Sequence, residues 1–212
     1  MLEITFGAIL LGLFLLQRDH GVVDHFLLGA RVRHQGGFDL AQQALALSVE
    51  ACLTGDTALS EHVKEIEVAV NSAEREVDEM AYDLLAKEQP MAIDLRFILA
   101  IIKINSDLER IGDQATNIAS RAQPLNEPCS ADMPLDTADL RDMGEKVGVM
   151  IRTAVQSLVE ADARLAESVL AMDDEVDEIN RTVQANLVEL MQKRPVVSSQ
   201  ALAAIIVSRN LE

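Results

Sequence analysis

Apolar residues three and four apart, kept in step for helical turn after helical turn, constrain this chain more than any other feature. Val63, Ile66, Val70, Ala73, Val77, Met80 and Leu84 follow the rule, as do Ile101, Ile104, Leu108, Ile111, Ala115, Ile118 and Ala122. At 3.6 residues per turn such a series forms one stripe, and an unbroken stripe of that length belongs to helices packed in a bundle. Aromatic residues make up only 3% of the chain and Trp is absent. Cores dominated by Ala, Leu and Val are what helix-on-helix packing uses, so the fold class predicted is all-α.

The same reading places the elements. A first helix is predicted over about residues 39–53, with Ala44, Leu47 and Ala51 on one face, ended by Gly55 and followed by Asp56 as the cap of the next. The second covers about residues 57–88 and stops at Pro90. After the third, Pro124, Pro128 and Pro134 crowd into residues 123–136, which reads as a linker. A fourth helix follows at about 137–159, with Leu140, Met143, Val147, Met150 and Ala154 as its stripe. A fifth spans about 163–193 before Pro195, and a sixth begins near Ser198.

The two sets of three helices superpose as sequence. Leu53, Gly55, Asp56 and Leu59 match Val159, Ala161, Asp162 and Leu165; Pro90 matches Pro195 with a one-residue slip, and Leu108-Glu109 matches Leu211-Glu212. The organisation predicted is an atypical hydrophobic segment at 1–35, a first three-helix repeat at 36–123, a linker at 124–136 and a second, incomplete three-helix repeat at 137–212. A last helix that stops at Glu212 has less surface to pack, so the second bundle is expected to be marginal.

Eighteen basic and 35 acidic residues give a net charge of −17, a field that repels nucleic acid and anionic lipid. Divalent cations and basic protein surfaces are the partners it favours. Cys52 and Cys129 show no metal-type spacing and read as an inert apolar residue and a stray linker thiol. Residues 4–16 read as one apolar run interrupted only by Thr5, but thirteen residues fall short of the ~20 a spanning helix needs. Without a basic leader or a small-x-small cleavage site they do not read as a secretory signal. An interfacial or buried helix, or foreign sequence translated ahead of the domain, remains, and the lack of periodicity over 21–37 favours the last. His20, His25 and His34 are read as solvated loop residues.

Chemistry concentrates on acidic pairs one turn apart. Glu109 and Asp113 flank Gly112 on the third helix, with Asn105 and Thr116 on the same stripe; Glu74 and Asp78 lie on the second, and Asp173 and Asp177 on the fifth. Four carboxylates from two antiparallel helices form an all-oxygen set suited to Mg²⁺, Mn²⁺, Fe or Zn²⁺. With 35 acidic residues, many such spacings arise by chance and belong to solvated faces or to partners of Arg75 and Arg110. No Ser-His-Asp set, Cys-His set or glycine-rich phosphate loop is present, so no catalytic residue is assigned. A non-catalytic adaptor is the economical reading; a metal-storing or hydrolytic bundle is the alternative.

Gln89-Pro90-Met91-Ala92-Ile93-Asp94-Leu95-Arg96, followed by Asp107-Leu108-Glu109-Arg110-Ile111-Gly112-Asp113-Gln114-Ala115-Thr116-Asn117-Ile118, resembles the PhoU family of phosphate-signalling regulators. The resemblance implies two tandem three-helix bundles whose Glu/Asp-x-x-x-Asp motifs hold multinuclear iron or zinc clusters. It assigns metal-binding roles to Glu74, Asp78, Glu109 and Asp113, and offers Asp173 and Asp177 in the second half. With few gaps, those last two fall opposite Glu67 and Asn71 instead of Glu74 and Asp78. The resemblance further implies a homodimer in the cytoplasm, peripheral to the inner face of the membrane. There it would link a phosphate ABC transporter to a sensor histidine kinase as a negative regulator of phosphate uptake and of the starvation response.

Overall fold

The computed structural model describes residues 23–126, 137–160 and 162–212, and among them every regular element is helical. In chain order these are α1 (Val23–Thr54), α2 (Thr57–Glu88), α3 (Ala92–Ala119), the short α4 (Ala122–Asn126), α5 (Ala138–Glu160), α6 (Ala163–Lys193) and α7 (Ser198–Leu211). A single 3₁₀ turn, Pro195–Val197, leads into α7. The hydrophobic run at 4–16, His20 and Cys129 lie outside the described residues.

Helix α1 packs on α2 and α3, and α6 packs on α5 and α7, giving two three-helix groups. Ala44, Val63, Ile66, Val70, Ala115 and Ala119 fill the first group, with Leu40 and Leu47 against them. The whole predicted stripe of α5, Leu140, Met143, Val147, Met150 and Ala154, is buried against Val169, Val176 and Val183 of α6 and Ala201, Ala204 and Val207 of α7. That second core does not close on itself, since Leu45 and Cys52 of α1, Ile118 of α3 and Leu125 of α4 belong to it. Helix α7, shorter than its counterpart, thus finds part of its packing surface on α3 and α4.

The turns follow local chemistry. Gly55 takes φ +75°, which is open to glycine and strained for other residues, and its N–H closes α1 on the carbonyl of Ala51 at 2.8 Å. Asp56 then caps α2, accepting from the N–H groups of Ala58 (2.8 Å) and Leu59 (3.3 Å). Asp162 repeats the cap on α6, accepting from Arg164 (2.8 Å) and Leu165 (3.2 Å).

Three expectations change. Helix α1 starts at Val23 and runs unbroken through Gly36 and Gly37, so the boundary placed at 35/36 falls inside a helix and His25 and His34 lie on helix instead of in a loop. Two glycines cost a helix about 2 kcal/mol relative to alanine, but Gly37 is buried, with Ala73 of α2 beside it at 3.8 Å from where a Cβ would stand. That is an ordinary van der Waals contact, and burial of this part of α1 offsets the poor propensity of the pair. The start of the predicted linker is helix as well: Pro124 sits in the first turn of α4, where a missing N–H removes no intrahelical bond.

Candidate functional site

The acidic stripe flanks a contact between α2 and α3. Gly112 is buried under Val70, whose Cγ1 lies 3.5 Å from the place a Cβ would take. What faces this glycine is thus a neighbouring helix, at ordinary van der Waals distance. Asn105, 4% exposed, secures the same crossing by donating from Nδ2 to the Glu74 carbonyl at 2.9 Å. These two contacts bring the acidic side chains of both helices into one electrostatic field.

Partial burial raises the Glu74 carboxyl above its ordinary value, and the charges of Asp78 and Asp113 add to the shift while Arg75 opposes it. Glu109 is raised for the same first reason, then by Asp113, Glu74 and Glu67, with Arg110 pulling the other way. Burial also raises Asp78, and the amide of Asn105 partly offsets it. Even so, Asp78 Oδ1 is buried without a hydrogen-bond partner. Arg110 is shared: its Nη1 lies 3.7 Å from the buried Asp107 carboxylate.

Of the residues singled out from sequence, Glu74, Asp78, Glu109 and Asp113 therefore come together. Glu67, not picked out as a site residue, joins them through its charge on Glu109, and Asn71 donates from Nδ2 to Glu67 Oε1. Its signal was present, since Glu67 lies two helical turns before Glu74 and so on the same face. Thr116 Oγ1 and Asn71 Oδ1 are two further buried oxygens without a partner on this polar seam.

Asp173 and Asp177 lie elsewhere, half-buried on α6. Their register is fixed by the matching caps Asp56 and Asp162 and by matching buried positions: Val63 with Val169, Val70 with Val176, Val77 with Val183. Counting from the caps, Asp173 and Asp177 occupy the places of Glu67 and Asn71. The places of Glu74 and Asp78 are taken by Asn180 and Gln184.

Whether the α2/α3 face suits a metal is a question of donors and spacing. All its donors are hard oxygens, the carboxylates repel one another, and one buried oxygen lacks a proton donor, a set that a divalent cation would satisfy. Among the described residues, however, no three His, Cys, Asp or Glu side chains stand close enough to share one ion. The face thus offers charge and oxygen donors, while sharing one ion would require three of its side chains to come closer together.

Comparison with known proteins places these features. The model of the family described as the PhoU domain matches residues 37–122 and 140–212. A phosphate-specific transport system accessory protein PhoU homolog of Pseudomonas putida is 37% identical over 82% of this chain and 67% of its own length. The homolog of Pseudomonas aeruginosa is 36% identical over 82% of this chain and 71% of its own, and homolog 1 of Thermotoga maritima 31% identical over 82% and 74%. The crystal structure of PhoU from Pseudomonas aeruginosa superposes with a TM-score of 0.84 at 34% identity, covering 89% of this chain and 90% of that one. PhoU from Streptococcus pneumoniae, at 24% identity and a TM-score of 0.74, shares the fold. With the all-helical architecture, the acidic α2/α3 crossing and these matches in agreement, the chain belongs to the PhoU family.

Proposed function

We propose that this chain is a non-catalytic accessory regulator of phosphate-specific transport. It acts in the cytoplasm at the inner face of the membrane, contacts a phosphate ABC transporter and a sensor histidine kinase, and lowers phosphate uptake and expression of phosphate-starvation genes. The observation that carries this reading is the match over four-fifths of the chain to proteins named as accessory to phosphate-specific transport. A net charge of −17 supports a protein partner with a basic surface.

On the same reading the α2/α3 face binds divalent cations through Glu74, Asp78, Glu109 and Asp113, with Glu67 contributing charge. A bound cation would neutralise the repulsion among these groups and so stiffen the α2–α3 crossing, which is the face this proposal assigns to metal-dependent docking. In a host lacking its own family member, expression of the chain is expected to repress a phosphate-starvation reporter and to co-purify the transporter's ATP-hydrolysing subunit. A reporter that stays fully active, with no transporter subunit recovered, would overturn the regulatory reading. Metal content and phosphoester hydrolysis, measured with and without Glu109→Ala, address the hydrolytic alternative: turnover abolished by that change would defeat the adaptor.

A further inference from the structure

Both halves leave large apolar side chains in water at the same places. Among the described residues ten such side chains are exposed, and six of them form three matched pairs. In the register of the matching caps, Tyr82 of α2 corresponds to Val188 of α6. Past the prolines of the two corners, Met91 corresponds to Val196, and Leu99 of α3 to Leu202 of α7. The α3/α7 register holds along both helices, since Ile98, Ile104 and Leu108 are buried where Ala201, Val207 and Leu211 are. The six side chains range from 47% exposed at Val188 to 78% at Met91, so none is a core residue seen at its edge. Exposed apolar residues scattered singly need no explanation, but a set repeated at equivalent positions marks a contact surface.

Within each half the set shares one face. Ala81 and Ile98 are buried together between α2 and α3, and Tyr82 and Leu99 each lie one residue further on. One residue is a turn of about 100°, which on antiparallel neighbours carries both side chains to the same side of the pair. Val188 and Leu202 stand in the same relation to the buried Leu187 and Ala201. Each half thus carries an apolar strip along the cleft between two antiparallel helices, on the side its third helix leaves open, which is the seat of a fourth helix in a bundle. The charges beside the strip cancel: Lys87 pairs with Asp83 at 2.6 Å, and Lys193 with Glu189 at the equivalent places. On a chain of net charge −17, a second copy or an anionic lipid would bring more negative charge to this neutral strip, whereas a basic partner is attracted. We propose that the corner ends of the two halves are equivalent docking seats, each for an amphipathic helix with an apolar stripe and basic flanks, so that a partner made of two identical subunits occupies both. This surface goes beyond the regulatory reading and does not depend on it.

The test is calorimetric titration of the full chain with a synthetic helical peptide of about 18 residues, Leu three and four apart on one face and Lys on the other, and with the same peptide carrying Glu in place of Lys. Two sites per chain are expected for the Lys peptide, and binding of the Glu peptide weaker by about ten-fold or more. Tyr82→Ser with Leu99→Ser should remove one site, Val188→Ser with Leu202→Ser the other, and all four changes together should weaken binding by about ten-fold or more. Peptide binding that survives all four changes would show attraction by charge alone and overturn the proposal, as would a site lost in one half with none in the other. Sedimentation of the unaltered chain and the four-fold variant, and their flotation with phosphatidylcholine vesicles, address the other occupants. A dimer, or a vesicle complex, that the four changes abolish would assign the strips to a second copy or to lipid and overturn the proposal. All four positions are exposed, so thermal melts of the variants should match the unaltered chain; Leu99→Ala and Leu202→Ala carry the same test where a serine variant melts early.

Discussion

Glu74 and Glu109 are both held partly out of water, and each feels a carboxylate across the α2–α3 seam, Glu74 that of Asp113 and Glu109 that of Glu74. Their raised carboxyls mean that the folded chain binds protons more readily than the unfolded one. The penalty for ionising them is therefore absent below the ordinary carboxylate range, enters as pH rises through the raised values, and is complete at neutrality. Glu74→Gln and Glu109→Gln should each stabilise the apo protein at neutral pH, by about 0.5 kcal/mol for a like-charge contact removed, which is about 1–2 °C in Tm for a chain of this size. That advantage over the unaltered chain should vanish as pH is lowered to about 4. An advantage that grew on acidification would contradict the assignment. Four members of this site, Glu74, Asp78, Glu109 and Asp113, were legible from i,i+4 spacing on neighbouring helices, because a helix fixes which residues share a face. Glu67 was harder to single out: its role depends on which face of α2 meets α3, and that is set by contacts such as Val70 on Gly112.

Elements were legible wherever local signals and packing agree. The Gly55-Asp56 junction is an example, with a positive φ for one residue and a side-chain cap from the next. Asp56→Ala and Asp162→Ala should each cost about 1 kcal/mol, read by chemical denaturation. Helix α1 shows why other boundaries were hidden. Its glycine pair has low helix propensity, and a tertiary contact, Gly37 packed beside Ala73 of α2, accompanies the helix running through it. A missing side chain is required where α5 crosses α1. A Cβ on Gly144 would come within 2.9 Å of both Val49 methyl groups. Gly144→Ala should destabilise by about 1–3 kcal/mol through overpacking. Adding Val49→Ala should recover part of that loss, a coupling that a double-mutant cycle measures.

At the scale of the molecule, an excess of 17 negative charges governs encounters with partners. If the proposed contact with a transporter subunit is made, its capture should weaken steeply between about 50 and 300 mM salt, with the loss falling mainly on the association rate. A salt-independent association rate would argue that contact is made through apolar surface alone. Among the described residues no helix is long and apolar enough to cross a membrane.

Cys52, Leu45, Ile118 and Leu125 lie within the same buried cluster as the methionines of α5, and Asn126 clasps α4 to α1 by donating to the Cys52 carbonyl at 2.7 Å. Burial there pushes the Cys52 thiol up to about 12, so at physiological pH it is one more oily contact of the seam and no nucleophile. Heating should therefore give one calorimetric peak and not two. Polypeptides 1–126 and 137–212, produced separately, should each be sticky and incompletely ordered, yet find one another on mixing and recover the helicity of the parent. The shared seam makes each half the other's scaffold.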